Sequence, residues 1–171
     1  MKLSDAVAKF LAQHVRRVFV ISGGASLHLI HSIAETEGID YVCPHHEQAA
    51  GFAADAYARI LGFGCAIATS GPGATNFITP IAASYYDSVP VLYLTGQVTT
   101  GRMTGSSGVR QMGFQETPIV PMVRPVTKFA ETLMQPERVI EMLRAAVALA
   151  QEGRPGPVLV DIPDDLQRAE I

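Results

Sequence analysis

Four stretches of the chain bring together residue types that could do chemistry: Ser22-Gly23-Gly24, Pro44-His45-His46-Glu47, Ser70-Gly71-Pro72-Gly73-Ala74-Thr75-Asn76 and Gly96-Gln97. Glycines let a ligand approach the backbone closely. A glutamate can give and take a proton when its environment tunes it, and amide side chains can hold a ligand's polar atoms. Each stretch also has a plain structural explanation. Gly23-Gly24 and Gly71-Pro72-Gly73 read as tight turns ahead of helices, and Glu47 reads as an acid favoured at a helix start. Their shared placement is the stronger signal. Each directly follows a short apolar run of strand character, namely Val18 to Ile21, Ile39 to Cys43, Cys65 to Thr69 and Val91 to Thr95. Ligands of open parallel sheets bind outside the carboxyl ends of the strands.

The familiar alternatives fail on spacing. Gly71-Pro72-Gly73 opens a G-x-G-x-x-G pattern, but Asn76 stands where the third glycine should be. Ala68, two residues before Ser70, removes the G-x-S-x-G nucleophile elbow, and no Walker lysine motif occurs. Cys43, His45, His46 and Glu47, with His28 and His31, suggest zinc but match none of its usual spacings, so no metal site is expected in this chain. The run after Glu47, QAAGFAADAYARI, consists largely of small residues that pack closely. Burial there would raise the Glu47 pKa and the helix N-terminus would lower it, and the sequence leaves that balance open.

The elements that must position these residues follow from periodicity. Leu3, Val7, Phe10 and Leu11 predict an opening amphipathic helix behind an N-cap at Ser4. Helices are predicted over 27–35, about 46–61 and about 74–86, and another opens at Pro136-Glu137 and ends near Gly153. Pro125 to Phe129 and Val158 to Ile162 read as further strands. Strands apolar on nearly every residue, joined by helices, imply an α/β doubly wound fold, with a mostly parallel sheet of about six strands flanked by helices. Thr99 to Gly113, rich in Gly, Ser and Thr, is expected to be a mobile loop. The polar tail PDDLQRAEI suggests a linker beginning near 164, so residues 1–171 read as a single domain of a longer enzyme.

Composition narrows the class. The chain has 171 residues, 48% hydrophobic and 17% charged, enough to bury a core and too apolar for disorder. Thirteen Lys and Arg against sixteen Asp and Glu give a net charge of -3, without the basic excess that nucleic acid needs. Cys43 and Cys65 both fall in apolar runs and read as small buried hydrophobes of a reducing compartment. No apolar run approaches the roughly 18 to 20 residues of a membrane span, and the start has no h-region of a signal peptide. A cytoplasmic protein is expected, with neither nucleic acid nor membrane as partner.

Five stretches in order carry a family resemblance: CPHHEQAA (43–50), ATSGPGATNF (68–77), DSVPVLYLTGQV (87–98), GFQE (113–116) and GRPGPVLVDIP (153–163). Together they resemble the N-terminal, pyrimidine-binding domain of thiamine-diphosphate-dependent enzymes of the acetolactate synthase group, from about Leu3 to Gln167. The resemblance implies that Glu47 contacts N1′ of the cofactor's aminopyrimidine and promotes its imino tautomer, which prepares C2 for attack on a 2-keto acid. It implies that Gly23 and Gly24 approach the aminopyrimidine or the reacting centre, that Pro72 packs on the pyrimidine and that Gln115 points toward the substrate. Phe114 would line the substrate's path. Asn76 matches a cofactor-binding position, and a helix-capping role fits it equally.

The activity implied is decarboxylation of pyruvate and condensation of the two-carbon unit with a second carbonyl compound. The alternatives are a non-catalytic or split subunit, or a related decarboxylase or two-carbon ligase acting on a sugar. Thiamine diphosphate is the implied cofactor, its Mg²⁺ held by a domain absent from this chain, with FAD in the full enzyme. The implied assembly is a homodimer through this domain, in contact with a diphosphate-binding domain from the rest of the chain or a partner chain. The helix over 46–61, with Ala50, Ala53, Ala54 and Tyr57, is the expected dimer face. Ser22 departs from the proline usual at that position in biosynthetic acetolactate synthases, and the loop from Thr99 to Met112 is longer than theirs.

Overall fold

In the computed structural model, which describes all 171 residues, six strands form one sheet: β1 (Arg17–Val20), β2 (Asp40–Val42), β3 (Gly64–Ala68), β4 (Val91–Gln97), β5 (Phe129–Thr132) and β6 (Val158–Pro163). Their order is β2-β1-β3-β4-β6-β5 and every pairing is parallel. The expected α/β class is what the chain adopts. From β1 the chain moves outward to β2 and then crosses back to β3 on the other side of β1. The carboxyl ends of β1 and β3 therefore flank a topological switch point, where open α/β sheets bind ligands.

The helices are α1 (Leu3–Leu11), α2 (Leu27–Ala34), α3 (Glu47–Leu61), α4 (Pro72–Thr75), α5 (Ile78–Asp87), α6 (Ile119–Val123), α7 (Val139–Gln151) and α8 (Asp164–Gln167). Because side chains alternate across a strand, Cys65 and Ile67 join a core with α1, α2 and α7, whereas Ala66 and Ala68 join one with α3, α5 and α6. The second core is lined by small residues, so α3 sits close to the sheet. A Cβ on Gly64 would lie 2.1 Å from the Ala54 carbonyl oxygen, and one on Gly51 would lie 2.4 Å from Pro80. That tight seating delivers the first residue of α3, Glu47, to the edge of the sheet. Gly62, at φ 90°, ends the helix.

Several expectations are corrected. Ser4 is not an N-cap: α1 starts at Leu3, and the buried Ser4 hydroxyl lies 2.9 Å from that of Ser32. The helix expected over 74–86 is two helices, α4 and α5, because Pro80 has no N–H to give the Asn76 carbonyl and its ring crowds it. The strand expected over 125–129 is a 3-10 turn, Arg124–Val126, and β5 begins only at Phe129. The linker expected from 164 is α8, docked on the domain, and the Leu3 N–H donates to the Ala169 carbonyl at 2.8 Å. Cys43 is exposed because it follows β2, an edge strand with all three residues exposed, whereas Cys65 is buried as expected. Ala50 and Ala54 face the core, so they are no dimer face; the exposed apolar residues of α3 are Ala49, Phe52, Ala56, Ile60 and Leu61. No helix is long and apolar enough to cross a membrane.

Candidate functional site

The α3 N-terminus is shaped by His46, whose Nδ1 accepts from the Gln48 N–H at 3.1 Å. Glu47 follows, half-buried. Asn76, at the end of α4, donates from Nδ2 to Glu47 Oε2 at 2.9 Å, so its side chain serves the glutamate rather than a helix end. Glu47 Oε1 has no hydrogen-bond partner within the chain and lies 3.5 Å from where a Cβ on Gly73 would stand. Gly73 thus leaves room beside the free oxygen, and the same Cβ would come within 2.8 Å of the Thr69 methyl. Pro72, the residue before Gly73, is exposed at the first position of α4.

Gly23 and Gly24 separate in role. A Cβ on Gly23 would lie 2.5 Å from Thr69 Cβ, so Gly23 is small because the ends of β1 and β3 close on each other there. The Ala25 N–H donates to Thr69 Oγ1 at 3.2 Å across the same seam. A Cβ on Gly24 would meet nothing within 4 Å. Gly24 instead opens onto a cleft of about 330 Å³ that Gln97, Arg102 and Phe114 also line. Glu47, Asn76 and Pro72 lie outside that cleft, so the expected residues form two adjoining groups.

Gln115 links the groups through its backbone. It holds φ 61°, uncommon for a residue with a Cβ, and its carbonyl oxygen lies 2.6 Å from where a Cβ on Gly71 would be. Gly71, itself at φ 60°, is therefore required both by its conformation and by the Gln115 backbone lying over it. Phe114 is 83% exposed at the cleft's lip.

Two polar residues behind the site, Glu116 and Asp161, received no role from sequence, and Gln97 joins one of them to the loop. Burial works to raise the Glu116 carboxyl, but hydrogen bonds from Thr104, Met112 and Gly113 bring it below its ordinary range. Asp161 on β6 is pushed up to about 6 by burial, although Thr95, Gln97 and Thr132 all donate to it. Gln97 then spans from Asp161 to the loop, its Nε2 donating to the Thr117 carbonyl at 2.8 Å and its Oε1 accepting from the Val98 N–H. A carboxylate inside the apolar run VLVDIP was a readable signal for Asp161.

No three His, Cys, Asp or Glu side chains converge as a metal site would require. An unpartnered carboxylate oxygen beside a glycine floor does suit a flat nitrogen heterocycle with a donor and an acceptor edge, so Glu47, Asn76 and Gly73 fit the aminopyrimidine end of thiamine diphosphate.

Comparison with known proteins gives the family. Residues 1–121 match the family described as thiamine pyrophosphate enzyme, N-terminal TPP binding domain. The chain is 44% identical over 169 residues to acetolactate synthase 2, chloroplastic, of Nicotiana tabacum, covering 98% of this chain and 24% of that protein. It is 44% identical over 161 residues to the acetolactate synthase isozyme 3 large subunit of Escherichia coli, covering 94% of this chain and 27% of that protein. With the probable acetolactate synthase large subunit of Methanocaldococcus jannaschii it shares 42% over 173 residues, 100% of this chain and 28% of that protein. The chain thus spans about a quarter of the length of these relatives. With the matched segment running from α1 through the Gly113–Glu116 turn, the chain belongs to the N-terminal TPP-binding domain family of thiamine pyrophosphate enzymes.

Proposed function

We propose that this chain is the aminopyrimidine-binding domain of an acetolactate synthase-like enzyme, which decarboxylates pyruvate and joins the two-carbon unit to a second carbonyl compound. The observation that carries the reading is the Glu47 carboxylate, oriented by Asn76 on one oxygen and free on the other beside Gly73. Bound thiamine diphosphate supplies the reactive carbon at which a 2-keto acid is taken up and loses carbon dioxide. The protein's part is proton handling: the Glu47 carboxyl donates to the ring nitrogen N1′ and takes the proton back. Asn76 fixes which oxygen does so, because its own bond occupies Oε2. Gly73 and Pro72 would hold the ring on the side of the Glu47 carboxylate. Gly24, Phe114 and Gln115 face the 2-keto acid. In this reading the diphosphate and Mg²⁺, and any FAD, belong to portions of the enzyme outside this chain, and the exposed apolar stripe of α3 pairs with a second copy. A cytoplasmic location fits the same reading.

Replacing Glu47 with Gln in the complete enzyme tests this. Glutamine keeps the volume and a donor but cannot exchange the proton, so the exchange rate of the cofactor's C2 proton, followed by NMR after acid quench, should fall by about 10²- to 10⁴-fold. An unchanged rate would sink the assignment.

A further inference from the structure

Glu116 is buried, at 8% exposure, yet no cation pairs with it and none of its carboxylate bonds reaches the sheet. Its Oε1 accepts from the Thr104 N–H at 2.6 Å and from the Thr104 hydroxyl at 2.9 Å. Its Oε2 accepts from the Met112 N–H at 2.9 Å and the Gly113 N–H at 3.4 Å. All four donors belong to one loop, so the carboxylate ties the loop's beginning to its end. The backbone of Glu116 completes the closure: its N–H donates to the Gly113 carbonyl at 3.0 Å, and its carbonyl accepts from Gln111 Nε2 at 3.0 Å. A buried, unpaired carboxylate is costly unless its lone pairs are filled. Here they are filled by three amides and one hydroxyl, all from the loop, which makes the carboxylate a fastener of loop shape.

What the fastener holds lies between its anchors. Phe114 and Gln115 separate Gly113 from Glu116. Gln115 is kept at φ 61° with its carbonyl over Gly71, the residue that opens into α4 and so toward Asn76. We propose that Glu116 is a positioning residue for the 2-keto acid side of the site: by clasping Thr104 to Met112 and Gly113, it fixes Phe114 and Gln115 at the cleft's lip and against the Gly71–Pro72 turn. This rests on the function proposed above. The clasp acts on substrate capture and leaves the Glu47 proton transfer alone, because neither Glu47 nor Asn76 is hydrogen-bonded to Glu116.

Glu116→Gln tests the inference, since an amide nitrogen would face the Met112 and Gly113 N–H groups, donor against donor. Two measurements belong together. In hydrogen exchange, the Thr104, Met112 and Gly113 amides should exchange roughly 10- to 100-fold faster, the loss expected for bonds to a charged acceptor. In the complete enzyme, kcat/KM for pyruvate should fall by about 10²-fold, the scale of a misplacement near 1 Å, while the C2 proton exchange rate stays within about twofold of the parent, in contrast to Glu47→Gln. Unchanged amide exchange overturns the clasp. Faster amide exchange with unchanged kcat/KM overturns the positioning role. A fall of C2 exchange and thermal stability together with kcat/KM marks a merely structural residue and overturns it as well. Glu116→Asp, which keeps the charge and shortens the reach, guards against a folding failure and should give the same pattern in smaller measure. If Glu47→Gln itself leaves C2 exchange unchanged, it is the proposed function that fails, and the amide exchange result still decides the clasp.

Discussion

Asn76 and Glu47 stand 29 residues apart in sequence and 2.9 Å apart in space, the amide nitrogen of the one donating to Oε2 of the other. The bond exists because two helices begin at the same sheet edge. Small-residue packing seats α3 so that Glu47 emerges at the end of β2, and the break between α4 and α5 leaves Asn76 free to face it.

Asn76→Ala should therefore leave the fold intact, because the residue is half-buried and lies between helices. It should lower C2 proton exchange in the complete enzyme by roughly 10- to 100-fold, the worth of a hydrogen bond to a charged group, about 1.5 to 3 kcal/mol. Asn76→Asp should be at least as damaging, since two carboxylates would then share the contact. Exchange at the parent rate in Asn76→Ala would reduce Asn76 to a helix end.

The paired glycines should respond oppositely. Gly23→Ala places a Cβ 2.5 Å from Thr69 Cβ and should destabilise by about 1 to 3 kcal/mol, the usual cost of overpacking. Gly24→Ala meets nothing within 4 Å and should stay within about 0.5 kcal/mol of the parent, while it narrows the cleft and raises KM for the 2-keto acid. Chemical denaturation of both variants checks the first statement and steady-state kinetics the second; equal stabilities would contradict the separation of roles.

Self-association should run through the stripe of α3 that the fold leaves in water. Phe52 is 43% exposed and Ile60 81%, and both share a helix face with Ala49 and Ala56. An apolar stripe at this spacing, outside the core, marks an interaction surface. Phe52→Glu with Ile60→Glu should convert a dimer to a monomer in sedimentation across a dilution series. The parent chain sedimenting as a monomer throughout, or the double variant remaining a dimer, would rule this face out.

How legible all this was depended on which contacts are local. The buried strands announced themselves, because β3, β4 and β6 are covered on both faces and so are apolar at nearly every position. At the edges the signal faded: β5 carries Glu131 within FAET, and Cys43 looked buried although it follows an uncovered edge strand. The split of the helix over 74–86 was readable in Pro80, whose missing N–H falls one turn after Asn76. Glu47 and the two glycine turns were found from their positions after strands. The Asn76–Glu47 bond and the Glu116 clasp were not, because each depends on how separate segments pack, and neither leaves a periodicity.

Asp161 sets the last prediction. It is an acid whose folded-state value, about 6, lies above its ordinary value of 3.8 because burial disfavours the charge. The folded state then binds the proton more tightly than the unfolded state, so this group's stabilisation is fully present below about pH 4 and is lost as pH rises through 6. The shift of about 2 units corresponds to roughly 3 kcal/mol, of which about 2 to 3 kcal/mol should be lost between pH 4 and 7. Glu116 works in the opposite sense, since its lowered value gives stability above its ordinary range that is lost only in stronger acid. The two are separated by comparison with Asp161→Asn, which keeps Glu116 and every other titrating group. The stability of the parent minus that of the variant, from denaturant unfolding at successive pH values, should decline from pH 4 to 7. The variant keeps an acceptor for the Thr95 hydroxyl, which donates at 2.7 Å, but sets an amide nitrogen toward Gln97 Nε2, now 3.0 Å from the second oxygen. Gln97 should therefore loosen its hold on the Thr117 carbonyl, and KM for the 2-keto acid should rise. A stability difference that is flat or rises with pH would show that Asp161 is not the buried, proton-favouring acid that its surroundings require.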